Sequence, residues 1–256
     1  MRFWAAWQFL TIIPAPRRRE FVTQELGKSV AFFPVIGLVL GLVLLGLDRL
    51  MALFLPSFLI NILLVAALAI LTGALHLDGF IDTCDGLAAK KSTQARLKVM
   101  GDSRVGGFGV VGGSCLILCK FASLVALPQA LRGTALVLMP VLSRWGMVGV
   151  ISLFSAAKKQ GMGWLLKREV NWKETTVATV FSVSVTLAFL GWWGAPVLGG
   201  LCLVVLGAAK SLCHIFGGLT GDMYGAICEF AEVAVLILFV TVGGLGGSGC
   251  LGSVLL

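Results

Sequence analysis

The chain has 256 residues, of which 58% are hydrophobic and only 12% charged. Soluble domains run near a quarter charged, so an ordinary soluble enzyme is excluded and the class is an all-α protein that crosses a membrane several times. The formal charge of +8 does not mark a nucleic-acid partner, because Lys and Arg gather in a few segments where they set membrane topology.

The opening "MRFWAAWQFLTIIPAPRRR" predicts an interfacial or re-entrant helix ended by Pro14 and Pro16. Arg17, Arg18 and Arg19 follow it without a small-residue cleavage site, which argues against a cleaved signal peptide. About seven spans are predicted after it, near residues 29–53, 57–76, 106–127, 133–155, 175–193, 195–213 and 227–246. A transmembrane barrel is excluded, because the runs do not alternate. "GLVLG", Gly37 to Gly41, is a GxxxG pattern suited to close helix packing. Short turns at Pro56, Pro128 to Gly133 and Gly194 to Pro196 pair spans as hairpins, and longer polar loops occupy residues 77–105, 156–174 and 214–226. The tail "GGLGGSGCLGSVLL" extends the last helix or frays. The seven cysteines form no CxxC pair, so no disulfide framework is expected, and Cys115 and Cys119 are read as small buried hydrophobes.

With the N-terminus in the cytoplasm, fifteen of the twenty Lys and Arg fall inside: Arg2, Arg17, Arg18, Arg19, Lys28, Lys90, Lys91, Arg96, Lys98, Arg104, Lys158, Lys159, Lys167, Arg168 and Lys173. The opposite face receives only Arg49 and Arg132; Lys120, Arg144 and Lys210 sit within apolar runs. The positive-inside rule therefore predicts a cytoplasmic N-terminus, an external C-terminus and three long cytoplasmic loops. The whole of 1–256 reads as a single integral membrane domain.

Seven of the twelve acidic residues fall in two segments. In "HLDGFIDTCDGLAAKK", Asp78, Asp82 and Asp85 recur at i, i+4 and i+7, along one face of a helix. Such crowded carboxylates need a cation, and hard oxygen donors suit Mg²⁺ completed by water and substrate phosphate. His76, just before them, is a candidate to bond a phosphate or hold a carboxylate. "MGDSRVGGFGVVGG" adds Asp102 as a fourth metal candidate, with Ser103 and Arg104 for phosphate contacts. In "GGLTGDMYGAICEFAE", Thr220 and Asp222 are candidates for substrate binding, Asp222 also for the metal, and Glu229 and Glu232 for the second substrate or a second metal. The bland alternative for the two glutamates is a structural ion pair with Lys210 or Arg144. Arg144 itself divides evenly between structural pairing and a substrate phosphate. With two histidines and no HExxH, a zinc site is not expected.

"GALHLDGFIDTCDGL", "ARLKVMGDSRVGGFG" and "GGLTGDMYGAICEFAE" together resemble the cobalamin synthase family, the adenosylcobinamide-GDP ribazoletransferases of bacterial B12 biosynthesis. The N-terminal "FLTIIPAP" agrees as well, so the likeness covers essentially the whole chain. It implies an integral inner-membrane enzyme with its site facing the cytoplasm. A ribose hydroxyl of α-ribazole, or of its 5′-phosphate, attacks the cobinamide-side phosphorus of adenosylcobinamide-GDP, and GMP leaves. Mg²⁺ is the expected cofactor. The residue roles are chemical inference: Asp78, Asp82, Asp85 and Asp102 for metal, Asp82 or Asp85 as proton acceptor, and Arg104, Arg96 and Lys90 for phosphate. Membrane lipid is an expected partner, and a homo-oligomer is left open. "DTCDGLAAK" is also similar to the opening motif of the CDP-alcohol phosphotransferases, but their downstream GxxxDxxxD is missing. A cation- or proton-coupled transporter is the rival from another class.

Overall fold

The computed structural model describes residues 2–15, 23–89 and 92–246. They form twelve α-helices: α1 (Arg2–Leu10), α2 (Thr23–Ser29), α3 (Phe33–Met51), α4 (Ser57–Leu71), α5 (Leu75–Ala88), α6 (Thr93–Val99), α7 (Gly107–Ala126), α8 (Gln129–Leu153), α9 (Met162–Glu169), α10 (Trp172–Leu190), α11 (Gly194–Phe216) and α12 (Gly221–Gly246). The one extended pairing among the described residues is an isolated parallel bridge between Ala156 and Leu219. Each of the seven apolar runs lies on a helix. Five stretches are long and apolar enough to cross a membrane, or six if the bent pair α4–α5 counts as one broken span. One of the five is the 45-residue stretch Trp172–Phe216, which holds both α10 and α11. Gly191, at φ +55°, breaks it. Leu187 and Val197 then line one cleft and Thr179 and Cys202 another, so the two helices fold back on each other.

α8 is the axis of the bundle. Residues of all its faces are buried, and α3, α10, α11 and α12 surround it, as expected of a helix apolar all round. α3 lies closest. Methyl groups on Gly37 or Gly41 would overlap the α8 backbone at Pro140 and Val137. The GxxxG pattern is thus a real contact, in which missing side chains let two backbones touch. At one end of the bundle, Arg132 of α8 donates through Nε and Nη2 to Asp48 of α3 at 2.9 and 2.7 Å, and through Nη2 to Asn61 of α4 at 2.7 Å. All three side chains are buried, so the network satisfies charges that would otherwise be costly and pins three helices together.

The expected span over 57–76 stops at Leu71. Gly73 and Ala74 follow in the left-handed region, at φ +62° and +54°. The Ala74 N–H donates back to Ala69 O at 2.8 Å, as in a Schellman-type ending. α5 then leaves at 92° to α4. A left-handed alanine costs about 1 kcal/mol, and here it redirects the chain so that α5 runs between α7 and α12. The polar stretch 77–105 is accordingly mostly helical, as α5 and α6. α1 bears out a helix at the N-terminus; nine residues rise only about 14 Å, too short to cross. Its Trp7 Nε1 donates to Ile13 O at 2.9 Å. Pro16, Arg17, Arg18 and Arg19 lie outside the described residues, as does the tail beyond Gly246. Cys115 and Cys119 correct the expectation of buried hydrophobes: both are exposed on the outer surface of α7, whereas Cys228 is buried.

Candidate active site

The three aspartates of α5 have different surroundings. Asp78 is exposed and Asp82 half-buried. Neither makes a side-chain hydrogen bond or ion pair with any described residue. Asp222, in the first turn of α12, reaches the same place because Gly79 lies directly on the Asp222 backbone, where a methyl would overlap it. Thr220 fixes that turn. Its Oγ1 accepts from Met223 N at 3.3 Å and lies 3.4 Å from Asp222 Oδ2, the role of a helix cap. Asp82 is within electrostatic reach of Asp78, Asp222 and Asp85. Three carboxylates, Asp78, Asp82 and Asp222, thus gather without a bound cationic side chain among the described residues.

Asp85 is engaged. Its Oδ2 accepts from Gly106 N and its Oδ1 from Gly109 N, both at 2.7 Å. It therefore caps the N-terminus of α7, with both orphan donors satisfied by one carboxylate. Arg96 of α6 donates through Nη1 to Gly86 O and Leu87 O at 3.0 and 2.6 Å, closing the C-terminal end of α5. Asp102 and Arg104 pair with each other in the exposed link before α7, with Nη2 to Oδ2 at 2.9 Å. Hydrogen bonds from Arg104 pull the Asp102 carboxyl down to about 2. Ser103 is exposed between them, and Lys90 lies outside the described residues.

Glu229 and Glu232 are placed away from the carboxylate trio, in the interior of the bundle. Lys120 of α7 donates to Glu229 Oε2 at 2.6 Å and also to Glu232 Oε2, while Arg144 of α8 donates to Glu232 Oε1 and to Ser143 Oγ, the latter at 2.9 Å. All four ionic side chains are buried. Two cations and two anions leave the cluster neutral. Of the two partners weighed from sequence, Arg144 is used and Lys210 is exposed on α11. Lys120 went unrecognised, although a lysine inside an apolar run has to find an anion. His76 is buried against Gly225 at the α5–α12 contact and has no hydrogen-bond partner among the described residues.

No three described carboxylates, histidines or cysteines stand close enough to hold a metal ion by themselves. Mg²⁺ commonly binds through one or two carboxylates and completes its shell with water and substrate phosphate. The all-oxygen donors of Asp78, Asp82 and Asp222 fit a site of that partly built kind. Asp85 and Asp102, with their oxygens committed to amides and to Arg104, fit it less well in this state.

A polar cleft of about 150 Å³ adjoins the trio and shares Asp222 with it. Its walls include Lys158, Gln160, Trp164 and Thr220. The loop that carries them is tied down by Ala157 N to Leu219 O and Leu219 N to Ser155 O, both at 2.9 Å. Gly163 presses so closely on Gly221 that no side chain would fit. Sequence reasoning did not single out Trp164 or Gln160, because nothing local links residues 158–164 to 219–222.

Comparison with known proteins gives the chain a family. The model of a family described as cobalamin-5-phosphate synthase matches residues 2–240. A relative from Geotalea daltonii named adenosylcobinamide-GDP ribazoletransferase is 40% identical over 247 residues, covering 94% of this chain and 98% of its own. Relatives of the same name from Acetivibrio thermocellus and Desulfitobacterium hafniense are each 34% identical; they cover 90% and 92% of this chain, and 94% and 95% of their own. No solved structure matches the chain.

Proposed function

Because the chain belongs to the cobalamin-5-phosphate synthase family, we propose that it transfers the cobinamide-phosphate part of adenosylcobinamide-GDP to α-ribazole or its 5′-phosphate. GMP is released, and the nucleotide loop of the B12 coenzyme is assembled. The observation that carries this reading is the whole-length likeness to relatives of that name. The carboxylates Asp78, Asp82 and Asp222, which have no cationic partner among the described residues, give the likeness a chemical centre at one end of the bundle.

In the proposed reaction, a ribose hydroxyl of the acceptor forms a bond to the cobinamide-side phosphorus. The bond from that phosphorus to the GMP oxygen breaks. Asp78, Asp82 and Asp222 would supply the one or two carboxylates that hold Mg²⁺, which would neutralise the pyrophosphate and the charge developing on the leaving GMP. Asp82 accepts the hydroxyl proton. It is preferred to Asp85 because Asp85 spends both oxygens on the amides of Gly106 and Gly109. Asp85 and Arg96 act as positioning residues that fix the two ends of the α5–α7 junction. Arg104 is exposed and pairs with Asp102, two residues away, and a phosphate would meet its guanidinium by displacing that solvent-screened pair. Preorganised charges and positioning supply most of the catalysis in such transfers.

The clustering of Lys and Arg at the site end supports an inner-membrane enzyme with a cytoplasmic N-terminus and site. The back-folded α10–α11 pair and the bent α4–α5 pair support seven crossings in place of five or six. The assay is purified protein in detergent or lipid with adenosylcobinamide-GDP, α-ribazole and Mg²⁺. GMP and the joined corrinoid are expected together, with loss on chelation by EDTA and recovery on adding Mg²⁺. Folded protein that releases no GMP would overturn the reading, and turnover insensitive to EDTA would overturn its metal.

A further inference from the structure

We propose that the cleft between residues 158–164 and the first turn of α12 is a guanine pocket, which holds the base of the nucleotide that leaves. The inference rests on the reaction proposed above and assigns one part of its substrate to a place. Its basis is the chemistry of the walls. Guanine offers a ring N–H and an exocyclic amine as donors, and a carbonyl oxygen as acceptor. The Gln160 carbonyl is an acceptor for the donors, and the Lys158 ammonium is a donor for the carbonyl. Trp164 supplies an aromatic surface, and stacking of a base on such a ring contributes strongly to nucleotide binding.

The pocket is also held in shape. Arg168 lies 4.7 Å over the Trp164 ring and bonds Glu169, which fixes the indole. Lys167 donates to Ser152 O at 2.6 Å and anchors α9 to the end of α8. By contrast, two other clefts of similar size are lined mainly by apolar side chains such as Leu187, Phe189 and Phe239, or Trp145, Leu201 and Val205. The acceptor's base is a methylated benzimidazole with no N–H donor. An amide carbonyl and an ammonium in one cleft suit it poorly and suit guanine well. Asp222 belongs both to this pocket and to the trio around Asp82, so a base seated against Trp164 leaves its phosphates directed at the carboxylates.

The test is calorimetric titration of the full-length protein in detergent with GMP, IMP and α-ribazole. It compares the wild type with Lys158→Ala and Trp164→Ala. We expect each substitution to weaken GMP at least tenfold and to leave α-ribazole unchanged. We also expect IMP, which lacks the exocyclic amine, to bind the wild type at least tenfold more weakly than GMP. That comparison needs no variant and so does not depend on the substituted loop folding. Equal affinity for GMP and IMP, or a loss that falls on α-ribazole in place of GMP, would overturn the pocket. The two readings fail separately: turnover without the GMP selectivity sinks the pocket alone, and selective GMP binding without turnover sinks the reaction alone.

Discussion

At the scale of single residues, three aspartates that look equivalent in sequence separate into two kinds. Helical spacing put Asp78, Asp82 and Asp85 on one face, and α5 is indeed a helix. What spacing could not reveal is that the amides of Gly106 and Gly109 sit opposite the third of them. The difference is testable, because a free carboxylate and a capping carboxylate answer substitution differently. Asp82→Asn should lower turnover more than 100-fold and leave the thermal midpoint unchanged or slightly higher, since it relieves crowding with Asp78 and Asp222. Asp85→Ala should lower turnover and also destabilise the fold by about 1–2 kcal/mol, the usual cost of losing a helix cap. Thermal unfolding in detergent alongside the GMP assay separates the two. Full activity in Asp82→Asn, or an unchanged midpoint in Asp85→Ala, would reverse the assignment.

At the scale of elements, the apolar runs announced their helices, because twenty residues of hydrocarbon leave the backbone no other way to satisfy its hydrogen bonds. The short polar helices α6 and α9 were not legible. Seven- and eight-residue helices are marginal alone, and these are held by distant contacts such as Thr93 Oγ1 to Ile215 O at 3.3 Å. For the glutamates of α12, sequence offered Arg144 beside Lys210 as a structural partner and did not point to Lys120. Their cations lie 88 to 112 residues away on α7 and α8, and separations of that size leave no pattern in a single sequence. The ion cluster acts as a lock between α7, α8 and α12. Lys120→Met should strand an anion in the interior and cost about 3 kcal/mol or more. Removing Glu229 as well leaves the neutral Arg144–Glu232 pair, so the double variant Lys120→Met with Glu229→Met should recover much of that loss. A double-mutant cycle on unfolding in denaturing detergent measures the coupling. Additive losses would show that the four residues do not act as one unit.

At the scale of the whole molecule, the two ends of the bundle differ in charge, and that difference is the ground for the proposed orientation of the site. At one end Arg132 is buried and neutralised by Asp48, and the turn between α3 and α4 exposes apolar Leu53 and Phe54. The other end carries Asp82, Asp222 and the polar cleft, together with Arg96, Lys98, Arg104, Lys158, Lys159, Lys167 and Arg168. Segments so rich in Lys and Arg resist translocation, and a nucleotide-bearing substrate is met in the cytoplasm. Both arguments support the proposed inward-facing site end; the charge argument was available from sequence, and the gathering of Asp82, Asp222 and Lys158 at one end was not. Labelling with a membrane-impermeant maleimide settles the orientation, in a background where the native cysteines are serines. Leu53→Cys, 76% exposed at its turn, should react in intact cells. Lys158→Cys should react only after the membrane is permeabilised. The opposite pattern would place the carboxylates and the polar cleft outside, beyond reach of a cytoplasmic pyrophosphate, and the proposed reaction would lose its substrate.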